Sequence, residues 1–425
     1  MFKYILVLFI GVFFISCALK EAQTLQSHQK SFEQEDSYIL FALRAEQIKD
    51  YKAASELFDT LYEKSDKKEY LYRSLENDLV AKRSEALIKK VDLESKEKPY
   101  DPKLMRFKVV ALFELGRLDE AKSLSVELAK RTQEANDYLL TSDIYIKRQE
   151  YDLALRYLDS AYAKENNEKI LDKMSIILYV NLDRKKDAIA NLETHSRMLG
   201  CSTLVCNRLI GFYSNENNIE GLLSTYLRLY ELNKNQEIAK KIIQIYSYKR
   251  DYVSLTKFLE NSKSNDEVLL QLYSSTKNYE KAYPLADKLY IETFDVDYLG
   301  QSAIYEYENS KDKSSKKLLE SVVKKLEKVV EVDAQAIYLN YLGYILIDHD
   351  VDVKKGMSYI DKVLQQEPNS AFYLDSKAWG YYKLGECQKA SKLMQRVVKL
   401  EGGDDPEVLF HIKAIQKCIK QDKGK

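Results

Sequence analysis

The chain contains 425 residues, and its 66 lysines and arginines are balanced by 66 aspartates and glutamates, which argues against a general nucleic-acid binder. It has only 13 glycines and 5 prolines. This scarcity of turn residues argues against sandwiches, barrels and alternating β/α folds, and leaves little glycine for phosphate-binding loops. A hydrophobic content of 45% with 31% charged residues is typical of a folded chain rather than a disordered one.

The N-terminus has the features of an export signal. Lys3 precedes an apolar run over Tyr4–Ile15, which is shorter than the roughly 20 residues that span a bilayer. The run ends in Phe14-Ile15-Ser16-Cys17, which resembles the signal of bacterial lipoproteins, where a small residue precedes a cysteine that is lipidated. The resemblance implies that residues 1–16 are removed and that Cys17 carries the acyl chains. An uncleaved anchor and an ordinary secretory signal are the alternatives.

The residues that follow predict a tethered protein. Residues 17–34 begin with the lipidated cysteine and are otherwise polar, so we expect them to form a tether. Ala18 stands where an aspartate retains many such lipoproteins in the inner membrane. We therefore expect anchoring in the outer membrane, on the periplasmic side.

The body of the chain is an internal repeat. A small or aliphatic residue recurs at intervals of 27 to 35 residues, with one longer gap that has room for a lengthened unit around Lys316–Val330. Tyrosines stand nine residues before many of these positions, as at Tyr145, Tyr179 and Tyr213. The repeated positions are Ala54, Ala86, Ala121, Ala154, Ala188, Leu222, Leu255, Ala282, Gly356 and Ala390.

This period is typical of the tetratricopeptide repeat, in which two antiparallel helices occupy about 34 residues. The small residue lets the two helices approach closely, and the tyrosines fill the groove against the next repeat, so much of the tyrosine content is predicted to be core. The sequence therefore predicts an all-α, right-handed superhelical solenoid of about 11 helix pairs with a C-terminal capping helix. We expect degenerate repeats over 35–331, well-formed repeats over 332–404, and a capping helix with a tail over 405–425.

The polar residues do not form a recognisable catalytic motif. The histidines are His28, His195, His349 and His411, and none stands in a metalloprotease or triad-like context. The run Asp348–Asp352 has alternating carboxylates, but Val353 and Tyr359 stand where a calcium loop needs glycine and glutamate, so a turn between helices is expected. We predict no enzymatic activity, no cofactor and no metal site.

Four cysteines remain after Cys17, in an oxidising compartment. Cys201 and Cys206 are five residues apart at the start of a predicted helix. Cys387 and Cys418 are expected at neighbouring ends of two antiparallel helices, where a disulfide is geometrically reasonable. Two free, buried thiols are the alternative.

The first helices of the last two repeats predict a partner-binding groove. Tyrosine and tryptophan provide large contact areas at little entropic cost, and they dominate many binding hot spots. The alternative is that Trp379 and Tyr344 pack between adjacent helices. The residues predicted to face the groove are Asn340, Tyr344, Ile347, Phe372, Asp375, Trp379, Tyr382 and Lys383.

Residues 339–404 resemble the C-terminal repeats of a group of large proteobacterial tetratricopeptide lipoproteins. The matching residues are Gly343-Tyr344, Glu367-Pro368-Asn369, Leu374-Asp375-Ser376, Trp379 and Tyr381-Tyr382. The resemblance implies an outer-membrane adaptor that binds a periplasmic carboxyl-terminal processing protease in cell-wall turnover.

We therefore predict a non-catalytic, lipid-anchored scaffold that binds protein partners of the cell envelope. The membrane is contacted through the N-terminal lipid, and neither a nucleic acid nor a small-molecule substrate is expected. The alternative function is an assembly factor for a secretin, a type IV pilus or another outer-membrane machine.

Overall fold

The computed structural model describes residues 30–97, 100–400 and 404–422. Within these residues there are 23 α-helices and no strand, so the predicted all-α class is confirmed. The predicted signal peptide, Cys17, His28 and most of the tether lie outside the described residues.

The chain divides into two compact units, with the boundary between Thr225 and Tyr226 inside one helix. The first unit contains eleven helices and the beginning of the twelfth. They are α1 (Glu35–Gln47), α2 (Tyr51–Ser65), α3 (Lys68–Val80), α4 (Ser84–Glu97), α5 (Pro102–Glu114), α6 (Leu118–Thr132), α7 (Ala135–Lys147), α8 (Tyr151–Glu165), α9 (Glu168–Ile176, continued by a π-helical turn over Ile177–Asn181), α10 (Lys185–Leu199), α11 (Thr203–Asn215) and α12 (Ile219–Asn233).

The second unit continues from α12 with eleven further helices. They are α13 (Gln236–Lys249), α14 (Tyr252–Ser262), α15 (Asp266–Ser275), α16 (Tyr279–Thr293), α17 (Val296–Asn309), α18 (Lys316–Val332), α19 (Ala336–Asp348), α20 (Val353–Gln366), α21 (Ala371–Lys383), α22 (Cys387–Val397) and α23 (Pro406–Asp422).

Helices α1 to α22 alternate as the A and B helices of eleven pairs, and α23 follows them. This agrees with the predicted number of repeats and with a final additional helix. The lengthened unit expected before Gly356 is present, because its B helix is the 17-residue α18. The predicted division into degenerate and well-formed repeats concerns sequence quality and stays a prediction.

In all but one of the predicted units, the repeated residue is the fourth residue of a B helix. Ala54, Ala121, Ala154, Ala188, Ala282 and Ala390 have no exposed surface there. In α4 the prediction is wrong by one residue, because Leu87 is the fourth residue and is fully buried, whereas Ala86 is only half-buried. Both residues are apolar, so the sequence pattern did not distinguish the two registers.

A close helix crossing occurs between α19 and α20. A Cβ atom on Gly356 would lie 2.6 Å from the carbonyl oxygen of Gly343, and a Cβ atom on Gly343 would lie 3.0 Å from the carbonyl oxygen of Gly356. The two backbones therefore touch at this point, which only a pair of glycines allows. This crossing fixes the angle between the A and B helices of the tenth pair.

Short turns join the helices although the chain has few glycines. Most of these turns place one residue in the left-handed region, and this residue is usually not glycine, as with Asp66, Asn166 and Asp350. Asparagine and aspartate tolerate this conformation better than other residues with a side chain. Side-chain caps then start many of the following helices, as where Asp352 accepts from the Lys355 N–H at 2.9 Å.

The repeated tyrosines are part of the core, as predicted. Tyr145, Tyr179, Tyr213, Tyr246 and Tyr273 are all buried. Three of these hydroxyl groups donate to glutamates: Tyr179 to Glu216, Tyr213 to Glu193, and Tyr273 to Glu260 at 2.6 Å. No helix in the described parts of the chain combines the length and apolarity that crossing a membrane requires.

Candidate protein-binding cleft

Three successive A helices of the second unit, α17, α19 and α21, line a cavity of about 460 Å³. Helix α19 packs against α21, and α23 packs against α21 and contributes one residue to the wall. We call this cavity the tyrosine cleft. Its lining residues are Tyr307, Glu308, Lys313, Ile337, Asn340, Tyr341, Tyr344, Asp348, His349, Phe372, Tyr373, Asp375, Ser376 and Glu407.

Aromatic rings form much of the cleft wall because the A helices present a ring at nearly every turn. Tyr341 and Tyr344 are one turn apart on α19, while Phe372 and Tyr373 are adjacent on α21. Phe372 is 56% exposed and Ile337 is 50% exposed. These two apolar side chains therefore face solvent at the rim, where a partner can reach them.

The Tyr344 hydroxyl donates a hydrogen bond to Glu407, the residue that α23 adds to the wall. Burial, this hydrogen bond and the negative charges of Asp348 and Glu407 raise the pKa of Tyr344 above its ordinary value. Burial and the charge of Glu308 likewise raise the pKa of Tyr341. Both phenols are therefore neutral at physiological pH.

A second set of contacts lies on the side of α17. The Tyr307 hydroxyl and His349 Nε2 are hydrogen-bonded at 2.9 Å. Lys313, in the loop after α17, places its Nζ 2.9 Å from a Glu308 oxygen and 4.6 Å from the centre of the Tyr307 ring. This lysine lies simultaneously against a carboxylate and an aromatic face.

A buried histidine–aspartate pair joins α23 to the wall of the cleft. His411 Nδ1 on α23 donates to the Asp375 carboxylate at 2.9 Å, and both side chains are buried. The Asp375 charge therefore lies beside the cleft but has a hydrogen-bonding partner. This contact also holds α23 in place over α21.

Four of the eight residues predicted to face a groove line the tyrosine cleft: Asn340, Tyr344, Phe372 and Asp375. Ile347 and Trp379 were predicted to face the groove, and this prediction is wrong. Ile347 is 0% exposed and Trp379 is 5% exposed, and both belong to the core. Ile347 is buried because it packs against Gly356 of α20 and Gly380 of α21, whereas Trp379 is buried because α23 covers it. Trp379 is stacked on His411 and donates its indole N–H to Asp348 Oδ1 at 2.7 Å.

Tyr382 and Lys383 also lie outside the cleft. Tyr382 is stacked on Trp379 with ring centroids 4.6 Å apart. Lys383 donates to Asp350 at 2.8 Å and thereby holds the turn between α19 and α20. The alternative, that Trp379 and Tyr344 pack between adjacent helices, is therefore correct for Trp379. It is correct only in part for Tyr344, which also lines the cleft.

The sequence analysis missed four important lining residues, Tyr307, Glu308, Tyr341 and Glu407. The first two belong to the A helix of the preceding pair, which was not included in the predicted groove. The last belongs to the capping helix. Tyr341 lies three residues before the predicted residue Tyr344, so one helical turn back from Tyr344 would have found it. The contribution of α23 has no signal in the local sequence.

The four remaining cysteines are paired in the structure. Cys201 is bonded to Cys206, and Cys387 is bonded to Cys418. The second bond joins the first residue of α22 to the last turns of α23. It therefore connects the final helix pair to the helix that completes the tyrosine cleft.

Two further polar clusters lie between helices, and they are internally satisfied. In the first unit, Lys90 contacts Asp59 at 2.5 Å and Asp78 at 2.6 Å. In the second unit, Lys325 contacts Asp287 and Glu306, both at 3.0 Å. Lys90 also donates to two serines and Lys325 to one, so each lysine has its partners within the protein. These clusters are structural ion pairs between neighbouring repeats.

The other histidines and the Asp348–Asp352 run have structural positions. His195 is buried and bonded to the Tyr162 hydroxyl at 2.6 Å. The acidic run is the end of α19 and the turn to α20, as expected, with Asp350 in the left-handed region. Within the described residues, no group of three or more histidines, cysteines, aspartates and glutamates is placed to hold a metal ion.

No protein-family model matches the chain, and no curated protein matches it. Solved helical-repeat structures resemble it at low identity. One is a Naa15/Naa10 complex bound to HypK-THB, with 12% identity, a TM-score of 0.30, 88% of this chain covered and 64% of that chain covered. Another is the APC/C hetero-tetramer Cut9-Hcn1, with 10% identity, a TM-score of 0.34 and coverage of 91% and 97%. A third is a tetratricopeptide repeat protein from Parabacteroides merdae, with 14% identity, a TM-score of 0.29 and coverage of 66% and 98%.

Proposed function

We propose that this protein is a non-catalytic, lipid-anchored scaffold that binds a protein partner of the cell envelope through the tyrosine cleft. The main support is the juxtaposition of exposed Phe372 and Ile337 with the tyrosines and carboxylates of the cleft. Exposed aromatic and aliphatic side chains beside a polar floor are typical of protein-binding surfaces. The cavity is also within the size range of sites that take a few side chains of a ligand.

A binding role fits the cleft better than a chemical one. The titratable side chains of its floor are engaged in hydrogen bonds within the protein: Tyr344 with Glu407, and Asp375 with His411. Such bonds fix the shape of the cleft before a partner arrives, which reduces the entropic cost of binding.

The finer proposal is an adaptor for a periplasmic carboxyl-terminal processing protease, facing the periplasm from the outer membrane. Its support is the sequence resemblance over residues 339–404, which include α19, α20, α21 and α22. The cleft uses Tyr344 and Asp375 from the matching motifs. The anchor is tested separately, because Cys17→Ser is expected to abolish acyl labelling and release the protein from membranes.

The direct test is affinity purification of the tagged full-length protein from cross-linked envelopes, followed by mass spectrometry. The rim variant Ile337→Ala with Phe372→Ala removes two exposed side chains and leaves the core intact. A matched control, Tyr252→Ala with Val253→Ala, removes two exposed side chains of α14 that do not line the cleft.

A processing protease or wall hydrolase that is lost from the rim variant and retained by the control would support the adaptor proposal. Secretin or pilus subunits that are lost from the rim variant and retained by the control would instead support the assembly function. A set of partners that is unchanged by the rim variant would contradict the cleft as the binding site.

A further inference from the structure

The tyrosine cleft has an excess of negative charge. Four carboxylates line it, those of Glu308, Asp348, Asp375 and Glu407, against the single lysine Lys313. The chain as a whole is neutral, so this excess is a local property. In a partly enclosed cavity such charges attract cations more strongly than they would on an open surface.

Two of these carboxylates face ionisable side chains, Glu308 with Lys313 and Asp375 with His411, and the other two face neutral donors. Asp348 accepts from the Trp379 indole N–H, and Glu407 accepts from the Tyr344 hydroxyl. These bonds satisfy one oxygen of each carboxylate and leave its charge in place. A cation that enters the cleft would therefore meet the carboxylates of Asp348 and Glu407, whose hydrogen-bond donors are neutral, with His349 Nε2 3.9 Å from Asp348 as the nearest ionisable nitrogen of the lining.

Asn340 provides a second, independent indication. Its side-chain oxygen is buried at the cleft without any hydrogen-bond partner. A buried acceptor without a donor is unfavourable, so a bound N–H donor would remove this cost. Lysine and arginine side chains carry only donors, which matches a floor that offers acceptors.

The protein itself shows how the cleft holds an ammonium group. Lys313 lies at one edge, 2.9 Å from a Glu308 oxygen and 4.6 Å from the centre of the Tyr307 ring. Carboxylate and aromatic face together are a favourable environment for a cation. Tyr341 and Tyr344 line the same cavity as Asp348 and Glu407, so tyrosine rings and carboxylates are also present together there.

We infer that the tyrosine cleft takes a lysine or arginine side chain from an extended segment of the protein partner. This inference rests on the proposed function and specifies its partner: the segment places its basic side chain between the tyrosines and carboxylates. Its neighbouring apolar residues contact Phe372 and Ile337 at the rim. The cleft is therefore expected to select basic segments, whereas a site that captures a carboxylate would present basic side chains to its ligand.

The experiment selects peptides on the full-length protein from a random display library, and measures their affinities by calorimetry as N-acetylated, C-amidated peptides. Each selected peptide is compared with an analogue in which norleucine replaces the basic residue. The protein variant is Asp348→Asn with Glu407→Gln, which removes two charges while keeping an amide oxygen for Trp379 and Tyr344. The control variant, Glu320→Gln with Glu331→Gln, makes the same charge change on exposed residues of α18 outside the cleft.

The expected result is enrichment of lysine or arginine, with affinity reduced about 10- to 100-fold by the norleucine analogue and by the cleft variant, and unchanged in the control. Peptides that are lost from the Ile337→Ala, Phe372→Ala variant but contain no required basic residue would overturn the inference and leave the proposed function standing. If neither of the two cleft variants changes the affinity of the selected peptides, the cleft is not the binding site and both proposals are wrong. Circular dichroism of each variant verifies that the fold is retained.

Discussion

The indole ring of Trp379 is stacked on the imidazole of His411, with ring centroids 4.0 Å apart and planes inclined by 19°. Trp379 belongs to α21 and His411 to α23, so the stack joins the last A helix to the capping helix. The same indole donates to Asp348 on α19 at 2.7 Å. One side chain therefore connects three of the four helices that line the tyrosine cleft.

Replacement of Trp379 by alanine is expected to destabilise the second unit by about 3–5 kcal/mol, the usual cost of removing a large buried aromatic. The side chain is 5% exposed, and its loss also leaves Asp348 without its indole donor. Urea unfolding followed by circular dichroism measures the effect. Phe372→Ala is the control, because Phe372 is exposed on the same helix and its loss should change stability by less than about 0.5 kcal/mol. Equal stability of the two variants would contradict the core position of Trp379.

Gly356→Ala is expected to destabilise the tenth helix pair by about 1–3 kcal/mol, because the added methyl group overpacks the crossing with Gly343. The new Cβ would lie 2.6 Å from a backbone oxygen, which cannot move without shifting α19. Gly211→Ala on α11 is the matched control, since a Cβ there meets nothing within 4 Å. This control should gain about 0.5–1 kcal/mol from helix propensity. Thermal unfolding midpoints that move in the same direction would contradict the crossing.

Glu35 makes the stability of the first helix pair dependent on pH. Burial alone would raise its pKa, but hydrogen bonds from Lys67, Tyr70 and the Ser31 N–H outweigh burial and lower it from 4.5 to about 2. Because the pKa is lower in the folded protein, the ionised carboxylate stabilises the fold above about pH 4.5. This contribution is lost as the pH falls toward 2.

The measurement for Glu35 compares thermal unfolding of the wild type and Glu35→Gln from pH 7 to pH 2. The wild type should be more stable at pH 7, and the difference should shrink between about pH 4.5 and pH 2. A difference that is constant over this range would show that the charge of Glu35 makes no contribution. Glu33→Gln, two residues earlier on the exposed surface, serves as the control.

Loss of the Cys387–Cys418 bond is expected to loosen α23. The bond closes a segment with a sequence separation of 31, and a disulfide over a loop of this size contributes about 2–4 kcal/mol. Cys387→Ser with Cys418→Ser should therefore lower stability and shift the fluorescence of Trp379, the only tryptophan, to the red as α23 moves away. Cys201→Ser with Cys206→Ser should have a smaller effect, because its sequence separation is 5. Non-reducing mass spectrometry of the exported protein checks that the bonds form.

Sequence alone predicted the fold well because the repeat is a local pattern. A residue at the fourth position of each B helix, such as Ala154 or Ala282, is buried against the A helix of its own pair. Such contacts recur every 33 to 34 residues over most of the chain and need no long-range information. The one register error, Ala86 for Leu87, arose where two adjacent apolar residues both fitted the period.

The binding surface was predicted less well because it depends on contacts between distant segments. Trp379 was expected at an open groove, but α23 returns over α21 and buries it, and nothing in the residues around Trp379 indicates this. The same helix brings Glu407 to Tyr344 across a sequence separation of 63. The hydroxyl partner of an individual tyrosine therefore could not be predicted from its repeat position.

The central claim is that the tyrosine cleft contacts the partner, and photo-crosslinking in intact cells tests it most directly. A photoreactive p-benzoylphenylalanine replaces Phe372 at the rim, or Tyr252 on α14 as an equally exposed control. The account predicts one dominant adduct at position 372, whose cross-linked peptide carries a lysine or arginine, and no such adduct at position 252. If the partner forms an adduct with position 252 and none with position 372, the account is contradicted.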